Sequence, residues 1–399
     1  MTRNFLTETI AADTAPPAQR RPLRLGIVGG GRIAATQAMA ARMTGRYEIV
    51  AGALSSDPQR ARTKGEEFHL LPERCYADFE QMAVQEAQRD DGVEVVMITT
   101  PNHLHLAAAT AFMKQNIHVM CDKPLVNTIQ EAQRYLEIVN QTGSISAVGY
   151  VMSCFAMIRQ AREIVQSGRL GEINQIHVEF MQDWMTPQNV SEAPHVKWRL
   201  DPEQSGRTSC VGDIGTHAVH LAQFVSGCAL TDVRADFFVC GAPKALEDTA
   251  FMHTRFDNKI PGTLMATRLA PGNRGGLRLR IYGSEGGLEW DLEQCDMLKV
   301  SIFGQPDMIF SRGHGHGISP AVEGLLRAGR GFPEGILEAW ANLYTELAVQ
   351  IGAQKDGLIL DKRWHLLPDA SDGAEGVRFI EACLSSHQQG GQWVSLRQF

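Results

Sequence analysis

Between residues 23 and 149 the chain repeats one rhythm, and that rhythm constrains the fold more than any other feature. Short apolar runs at 23–28, 48–54, 93–99, 117–121 and 145–149 alternate with helix-length stretches at 33–43, 58–68, 76–88, 103–115 and 129–140. Strands separated by helices cannot pair as hairpins, so they predict βαβ units and a parallel sheet. The run Val93, Val95, Val96, Ile98 is apolar on both faces, as expected of strands covered by helices on either side. The first fold class is therefore α/β, a doubly wound parallel sheet.

After about residue 150 the rhythm changes. Helices are expected at 158–167 and 213–225 and a strand at 173–182. Strand-like runs then follow one another at 233–240, 249–256, 262–269, 277–282, 287–292 and 297–303, separated by turn residues such as Asp257-Asn258 and Pro271-Gly272-Asn273. Successive strands without helices between them imply an antiparallel or mixed sheet, an α+β second domain. Residues 304–335 read as a long glycine-rich loop, and 336–351 and 374–385 as helices. A chain of 399 residues exceeds one ordinary core. The expected division is a flexible tail over 1–22, a dinucleotide-binding domain over 23–149 and a substrate-binding and oligomerisation domain over 150–399.

The composition narrows the function classes. A net charge of −7 offers no domain-wide basic field, which argues against nucleic acid as a partner, and Arg20-Arg21 and Arg278/Arg280 read as solvated local clusters. Eight cysteines are scattered with no Cys-x-x-Cys pair, a usage expected of buried thiols in a reducing compartment. No run is long and apolar enough to cross a bilayer, and residues 1–21 lack the apolar core of a secretory signal. Cytoplasm is the expected location.

Gly29-x-Gly31-x-x-Ala34 follows the first strand and opens the first helix, the context in which this motif predicts a dinucleotide site. Gly29 permits the tight turn, Gly31 lets backbone approach a pyrophosphate, and Ala34 lets helix and strand pack closely. The amides from Arg32 and Ile33 face the anion, helped by the helix dipole. At the end of the second strand, where an acid would hold the ribose of NAD, the chain has Ser55-Ser56-Asp57-Pro58-Gln59-Arg60. Ser55, Ser56 and Arg60 suit a 2′-phosphate, so NAD or NADP is expected with a lean to NADP. The alternative is that Ser56 caps the next helix and Arg60 is solvated.

Asp122-Lys123-Pro124 leaves the carboxyl end of the fourth strand, over the crevice where such sheets hold ligands. An amine there, beside an oxidised nicotinamide and shielded from water, can take part in moving a hydroxyl proton as hydride departs. Asp213-Ile-Gly-Thr-His217 supplies a carboxylate and an imidazole four apart, on one helix face if the turn begins at 213. The carboxylate would orient the imidazole as a base, or simply cap the helix. His220 reads as a packed helix histidine and not as one of a metal pair, since no third ligand matches; no metal is expected. His314 and His316 read as exposed loop residues. Thr100, Asn102 and His105 occupy another strand-to-helix edge facing the cofactor, Asn102 alternatively being a cap. Gln182 and Trp184, and the pair Trp198-Arg199, combine aromatic faces with polar groups as a sugar or polyol would require, with core packing as the alternative for each tryptophan. Tyr150, directly after the last strand, is assigned to the substrate side.

Taken in order, Gly26-Ile-Val-Gly29-Gly-Gly31-Arg-Ile33-Ala34, Thr100-Pro-Asn-His-Leu-His105, Cys121-Asp122-Lys123-Pro124 and Gly212-Asp213-Ile-Gly-Thr-His217 resemble the glucose–fructose oxidoreductase/inositol dehydrogenase/MocA family from about Leu23 onward. The family usually has Glu-Lys-Pro where this chain has Asp122. The resemblance implies an N-terminal Rossmann domain, a C-terminal domain with a large open antiparallel sheet, and a homodimer or homotetramer formed through that sheet. It implies Lys123, Asp213 and His217 as the catalytic set, with Asp213 orienting the other two, and Trp198-Arg199 near the nicotinamide. The expected function is an NAD(P)-dependent oxidoreductase acting on a sugar, cyclic polyol or related hydroxy compound. The alternatives are an NAD-dependent glycoside-cleaving enzyme of the same family and a non-catalytic dinucleotide-sensing protein.

Overall fold

The structure, a computed structural model, describes residues 21–187, 194–242, 244–313 and 317–399. His314 and His316, and all but the last two residues of the expected tail, lie outside them. Arg21 is not tail-like: its guanidinium donates to both carboxylate oxygens of Glu94, at 2.7 and 3.0 Å.

Five parallel strands form the first sheet: β1 (Leu23–Val28), β2 (Tyr47–Ala53), β3 (Val95–Ile98), β4 (His118–Cys121) and β5 (Ser146–Val148). They run in the order β2-β1-β3-β4-β5. Helices α1 (Arg32–Met43), α2 (Pro58–Glu67), α3 (Phe79–Ala87), α4 (His105–Met113) and α5 (Ile129–Thr142) connect or flank them. Because the order reverses between β1 and β3, a crevice opens outside their carboxyl ends, where the Gly29 turn and Thr99-Thr100 face each other. Local chemistry sets the helix limits. In α5, Thr128 and Glu131 form a reciprocal capping box, and Gly143 at φ +66 ends the helix. The helix expected from residue 76 begins instead at Phe79, because Asp78 caps it and Tyr76 turns inward to donate to Glu86 at 2.7 Å.

The second lobe starts with α6 (Ala156–Gln166) and is built on nine strands: β6 (Ile173–Met181), β7 (Leu230–Phe238), β8 (Thr249–Phe256), β9 (Ile260–Thr267), β10 (Gly276–Gly283), β11 (Gly286–Asp291), β12 (Met297–Ile302), β13 (Met308–Ser311) and β14 (Val394–Ser395). Their order is β13-β12-β11-β10-β6-β9-β8-β7-β14, and only β6 and β9 pair in parallel. Burial alternates along β8 and β9, so one face is packed and the other is open. The expected loop at 304–335 needs correction, since it contains β13 and a one-turn helix, α10 (Pro320–Glu323). β13 is the edge strand of the sheet and pairs with the preceding strand β12 as an antiparallel hairpin across residues 303–307.

The remaining helices are α7 (Pro194–Lys197), α8 (Pro202–Ser205) and α9 (Thr216–Ser226), ahead of β7, and α11 (Ile336–Asp356) and α12 (Ala370–Gln388), after α10. The last two return to the first lobe. Tyr344 on α11 donates to Gln37 of α1 at 2.9 Å and receives Tyr47's hydroxyl on its carbonyl at 2.7 Å. The backbone of Val148 in β5 donates to Pro368 at 2.9 Å just ahead of α12. These buried contacts fix the crevice of the first lobe against the helical face of the second.

Candidate active site

The glycine turn has three differently constrained positions. Gly29 has φ +99, and a Cβ there would lie 2.8 Å from the Thr99 carbonyl. Gly30, which motif reasoning passed over, is as tightly held: a Cβ would stand 2.6 Å from the carbonyl oxygen of Leu54. At Gly31 a Cβ would meet no protein atom within 4 Å, so that side of the turn is open to a ligand. Gly31 caps α1, whose first turn carries no acidic residue, and Ala34 is fully buried beneath it. Open backbone, bare helix amides and no opposing carboxylate fit a pyrophosphate. Thr100 adds a buried hydroxyl oxygen without a protein partner at the same crevice.

At the far end of β2, Asp57 caps α2, accepting from the Arg60 amide at 2.8 Å, and Ser55 accepts from the Asp57 amide at 3.1 Å. The helix cap considered for Ser56 thus belongs to Asp57. Ser56 and Arg60 are exposed.

A cleft between the lobes gathers Ile33, Thr100, Asn102, His105, Asp122 and Lys123 from the first with Trp198, Arg199 and Asp213 from the second. Lys123 stands two residues beyond β4, and its ammonium donates to the Asp213 carbonyl at 2.6 Å and to the Asp213 carboxylate. The other carboxylate oxygen takes 2.6 Å from Arg268, whose side chain is 1% exposed. Burial alone would raise the Asp213 carboxyl, but Lys123, Arg268 and Arg199 outweigh it and hold the group well below the usual carboxylate range. Asp213 is thus a fixed negative charge between two cations.

Asp213 does not begin an α-helix. It sits in a π turn, Val211–Gly215, that precedes α9. Two buried groups hold this turn. Glu247 accepts from the Ser209 amide at 2.8 Å and from the Val211 amide at 3.0 Å, while Arg268 donates to the Ser209 hydroxyl at 2.5 Å. Neither Arg268 nor Glu247 was expected from the sequence. A signal for Arg268 was present: inward positions of β9 run Ile260, Gly262, Leu264, Ala266, and the next in that period-2 register is the arginine.

The imidazole of His217 is held otherwise than expected. Both Asp213 oxygens are taken by Lys123 and Arg268, and His217 Nδ1 is buried without a partner. Packing orients the ring, against Tyr150 at 5.8 Å and Phe180 at 6.2 Å between centroids. Burial first, and then the Lys123 charge, push its pKa well below the ordinary histidine value. Both influences favour the uncharged imidazole over the imidazolium. Tyr150 is fully buried and does not line the cleft; it packs between His217 and His220.

The remaining candidates separate into clamps and cleft walls. Asn102 donates to the Ser205 carbonyl at 2.9 Å and so ties the lobes together. His105 sets its two ring nitrogens 3.0 Å from the carbonyls of Pro124 and Thr100, bracing the Lys123 loop. Asp122 accepts from the Lys123 amide at 2.8 Å, which aims the lysine. Gln182 and Trp184 follow β6 and bond to each other at 2.7 Å, with the Arg268 guanidinium 5.3 Å from the Trp184 ring. The Arg199 guanidinium lies over Trp198 at 4.4 Å. Among the described residues no group of three or more His, Cys, Asp or Glu is disposed to hold a metal ion.

Comparison with known proteins accounts for both lobes. Residues 23–150 match the model of the oxidoreductase family with an NAD-binding Rossmann fold, and residues 158–289 match the GFO/IDH/MocA C-terminal domain. An uncharacterized oxidoreductase of Bacillus subtilis, YfiI, is 31% identical, with 94% of this chain and 98% of that protein aligned. The crystal structure of an inositol dehydrogenase homolog from Azotobacter vinelandii, complexed with NADH and myo-inositol, superimposes with a TM-score of 0.86 at 32% identity, covering 94% of this chain and 98% of that one. Levoglucosan dehydrogenase of Pseudarthrobacter phenanthrenivorans is 25% identical over 70% of this chain and 76% of its own length. The lysine-bearing crevice beside a glycine cradle, the open sheet behind it and these matches lead to one assignment: this chain belongs to the GFO/IDH/MocA family of NAD-binding oxidoreductases.

Proposed function

We propose that the protein is a dehydrogenase or reductase of a sugar, a cyclic polyol or a related hydroxy compound, with Lys123, Asp213 and His217 as its catalytic set. The observation that carries this reading is the contact of the Lys123 ammonium with Asp213 across the interlobe cleft. A nicotinamide dinucleotide, when bound, supplies the hydride acceptor or donor. Gly29, Gly31 and the amides of Arg32 and Ile33 are read as its pyrophosphate cradle, with Thr100, Asn102, His105, Asp122, Trp198 and Arg199 around its nicotinamide end. Lys123 donates a hydrogen bond to the substrate oxygen and stabilises its developing negative charge, and the neutral His217 accepts the hydroxyl proton. Asp213 holds the lysine in place. Gln182 and Trp184, beside the cleft residue Arg268, are read as partners for the hydroxyls and C–H face of a ring. The substrates named for the inositol dehydrogenase homolog and for levoglucosan dehydrogenase support that class.

For the adenosine end we read acceptance of both dinucleotides. The Azotobacter relative was crystallised with NADH. Exposed Ser56 and Arg60, with the Asp57 carboxylate engaged as a cap, suit the extra phosphate of NADP. Arg60→Ala should weaken kcat/KM for NADP and leave NAD unaffected; equal effects on both would remove Arg60 from this role. We also propose that residues 23–149 and 150–399 act as cofactor and substrate domains, that copies assemble as a dimer or tetramer through the open sheet face, and that the protein works in the cytoplasm, where its free thiols stay reduced.

The test is a panel of sugars and inositols assayed with each dinucleotide. Lys123→Ala should abolish turnover and spare dinucleotide binding measured by calorimetry. Unchanged turnover in this variant would remove the lysine's role, and a wild-type protein that neither binds dinucleotide nor turns over any panel member would overturn the whole reading.

A further inference from the structure

A cavity of about 500 Å³ opens where α11 clasps the first lobe, and none of its lining residues lines the interlobe cleft described above. Its size falls within the roughly 300–1,000 Å³ usual for small-molecule sites. Both lobes build it. Arg46 comes from the turn between α1 and β2, Glu163 from α6, Glu323 from α10 and Arg327 from the turn that follows. Thr345 of α11 and Trp364, ahead of α12, complete the wall.

The charges in this cavity are of two kinds. Arg159 and Glu346 cancel each other: they pair at 2.9 Å, with side chains only 4% and 2% exposed. Arg363 has Asp361 at 4.0 Å. Arg46 and Arg327 are not cancelled. Among the described residues no carboxylate is within ion-pair distance of either, and the half-buried Arg46 guanidinium has no hydrogen-bond partner. Arg327 is aimed by a neutral bond, donating to the Thr345 hydroxyl at 2.7 Å, while that hydroxyl donates to the Ala341 carbonyl at 2.8 Å. The turn that carries it is fixed, since the amides of Arg327 and Ala328 both donate to the buried Glu334 carboxylate at 2.6 Å. Burial pushes the Arg327 pKa down, and the Arg46 charge adds to that against Glu334 and Glu338. Two guanidiniums that oppose each other's charge in one cavity favour an anion between them. Glu163 and Glu323 also lack an ion-pair partner among the described residues, and ionised carboxylates can only accept hydrogen bonds.

We propose that this cavity is a second ligand site, for a polyhydroxy anion such as a sugar phosphate or a sugar acid. The phosphate or carboxylate takes hydrogen bonds from Arg46 and Arg327, hydroxyls of the ligand donate to Glu163 and Glu323, and its C–H face lies along Trp364. Arg46 belongs to the first lobe and the other charged partners to the second. The ligand therefore ties the lobes together beside Tyr344, where α11 already holds Gln37 and Tyr47.

The test is calorimetry with thermal melts on the full chain at fixed ionic strength, with glucose 6-phosphate, gluconate, glucose and inorganic phosphate as probes. Glucose 6-phosphate or gluconate should bind saturably, more tightly than glucose or inorganic phosphate, and raise the melting midpoint. Tighter binding of the first assigns a phosphate ligand, and of the second a carboxylate. Arg46→Gln and Arg327→Gln should each weaken that binding about tenfold or more, roughly the loss of one charge-assisted hydrogen bond, with the midpoint of the unliganded protein unchanged. Lys123→Ala, in the other cleft, should leave it intact. Glu323→Gln, on the exposed end of α10, gives the same reading if an arginine variant does not fold. Absence of saturable binding by both sugar anions, equally tight inorganic phosphate, or wild-type affinity in these variants overturns the site. Loss of binding in Lys123→Ala places the ligand in the cofactor cleft and overturns it too. None of these readings depends on turnover, so they stand apart from the dehydrogenase assignment.

Discussion

Asp213 is the residue on which most of the site's electrostatics converge, and its partners can be tested singly. Arg268→Met deletes one of the two cations that hold the carboxylate and leaves Ser209 without its guanidinium. Breaking a buried pair from one side costs about 3–5 kcal/mol, and the part-exposed carboxylate places this case at the lower end. The expected outcome is a lower denaturation midpoint and a fall in kcat with dinucleotide binding retained; unaltered kcat would show that Lys123 alone suffices. His118 offers a separate titration. Its Nδ1 accepts from the Ile145 amide at 3.1 Å, and burial, then Lys355, lowers its pKa to about 4. Because the folded value lies below the unfolded one, the unfolded chain binds more protons in between. The stabilising contribution is therefore complete above about pH 6.5 and is lost on acidification toward pH 4. The unfolding free energy from urea titrations should fall across that window, by about 1.4 kcal/mol for each tenfold difference in proton affinity between the unfolded and folded chain. His118→Gln, which keeps an acceptor for Ile145, should flatten the fall, and an unchanged slope would assign it to other groups.

At the scale of elements, the glycine turn separates folding from binding. Gly30→Ala forces a methyl against the Leu54 carbonyl and must shift either β2 or the head of α1, so stability and dinucleotide affinity should fall together. Gly31→Ala meets no protein atom and has φ −78, a conformation any residue adopts. Its denaturation midpoint should stay at the wild-type value while dinucleotide affinity drops about tenfold or more, roughly the cost of one overpacked methyl. Calorimetry alongside thermal melts checks both; a Gly31→Ala variant that binds normally would move the pyrophosphate off this turn. The π turn at Val211–Gly215 works in a similar way. Its free amides are held by Glu247 and not by a local cap, which is why the carboxylate of Asp213 is left for Lys123 and Arg268.

Across the whole molecule, α11 and α12 return from the second lobe to clasp the first, through Tyr344 on Gln37 and Val148 on Pro368. The lobes should therefore melt together. A dinucleotide at a hundred times its Kd should stabilise the entire transition by about 2.7 kcal/mol. Two transitions in calorimetry, with only one moved by ligand, would show that the clasp does not couple the lobes.

Much of this protein was legible from local pattern, because backbone periodicity and glycine placement act over a few residues. The alternation of strands and helices, the cradle at Gly29 and Gly31, the lysine beyond β4 and the successive strands of the second lobe all follow from it. Contacts between residues far apart in the chain did not, as with Lys123 and Asp213, 90 positions apart, and Arg268 and Asp213, 55 apart. Only tertiary packing decided that Asp213 serves two cations and not His217, and that Tyr150 lies behind the imidazole and not in the cleft. The physical reason is that a side chain's partner is chosen by where the folded backbone brings it, and neighbours in the chain carry little information about that choice.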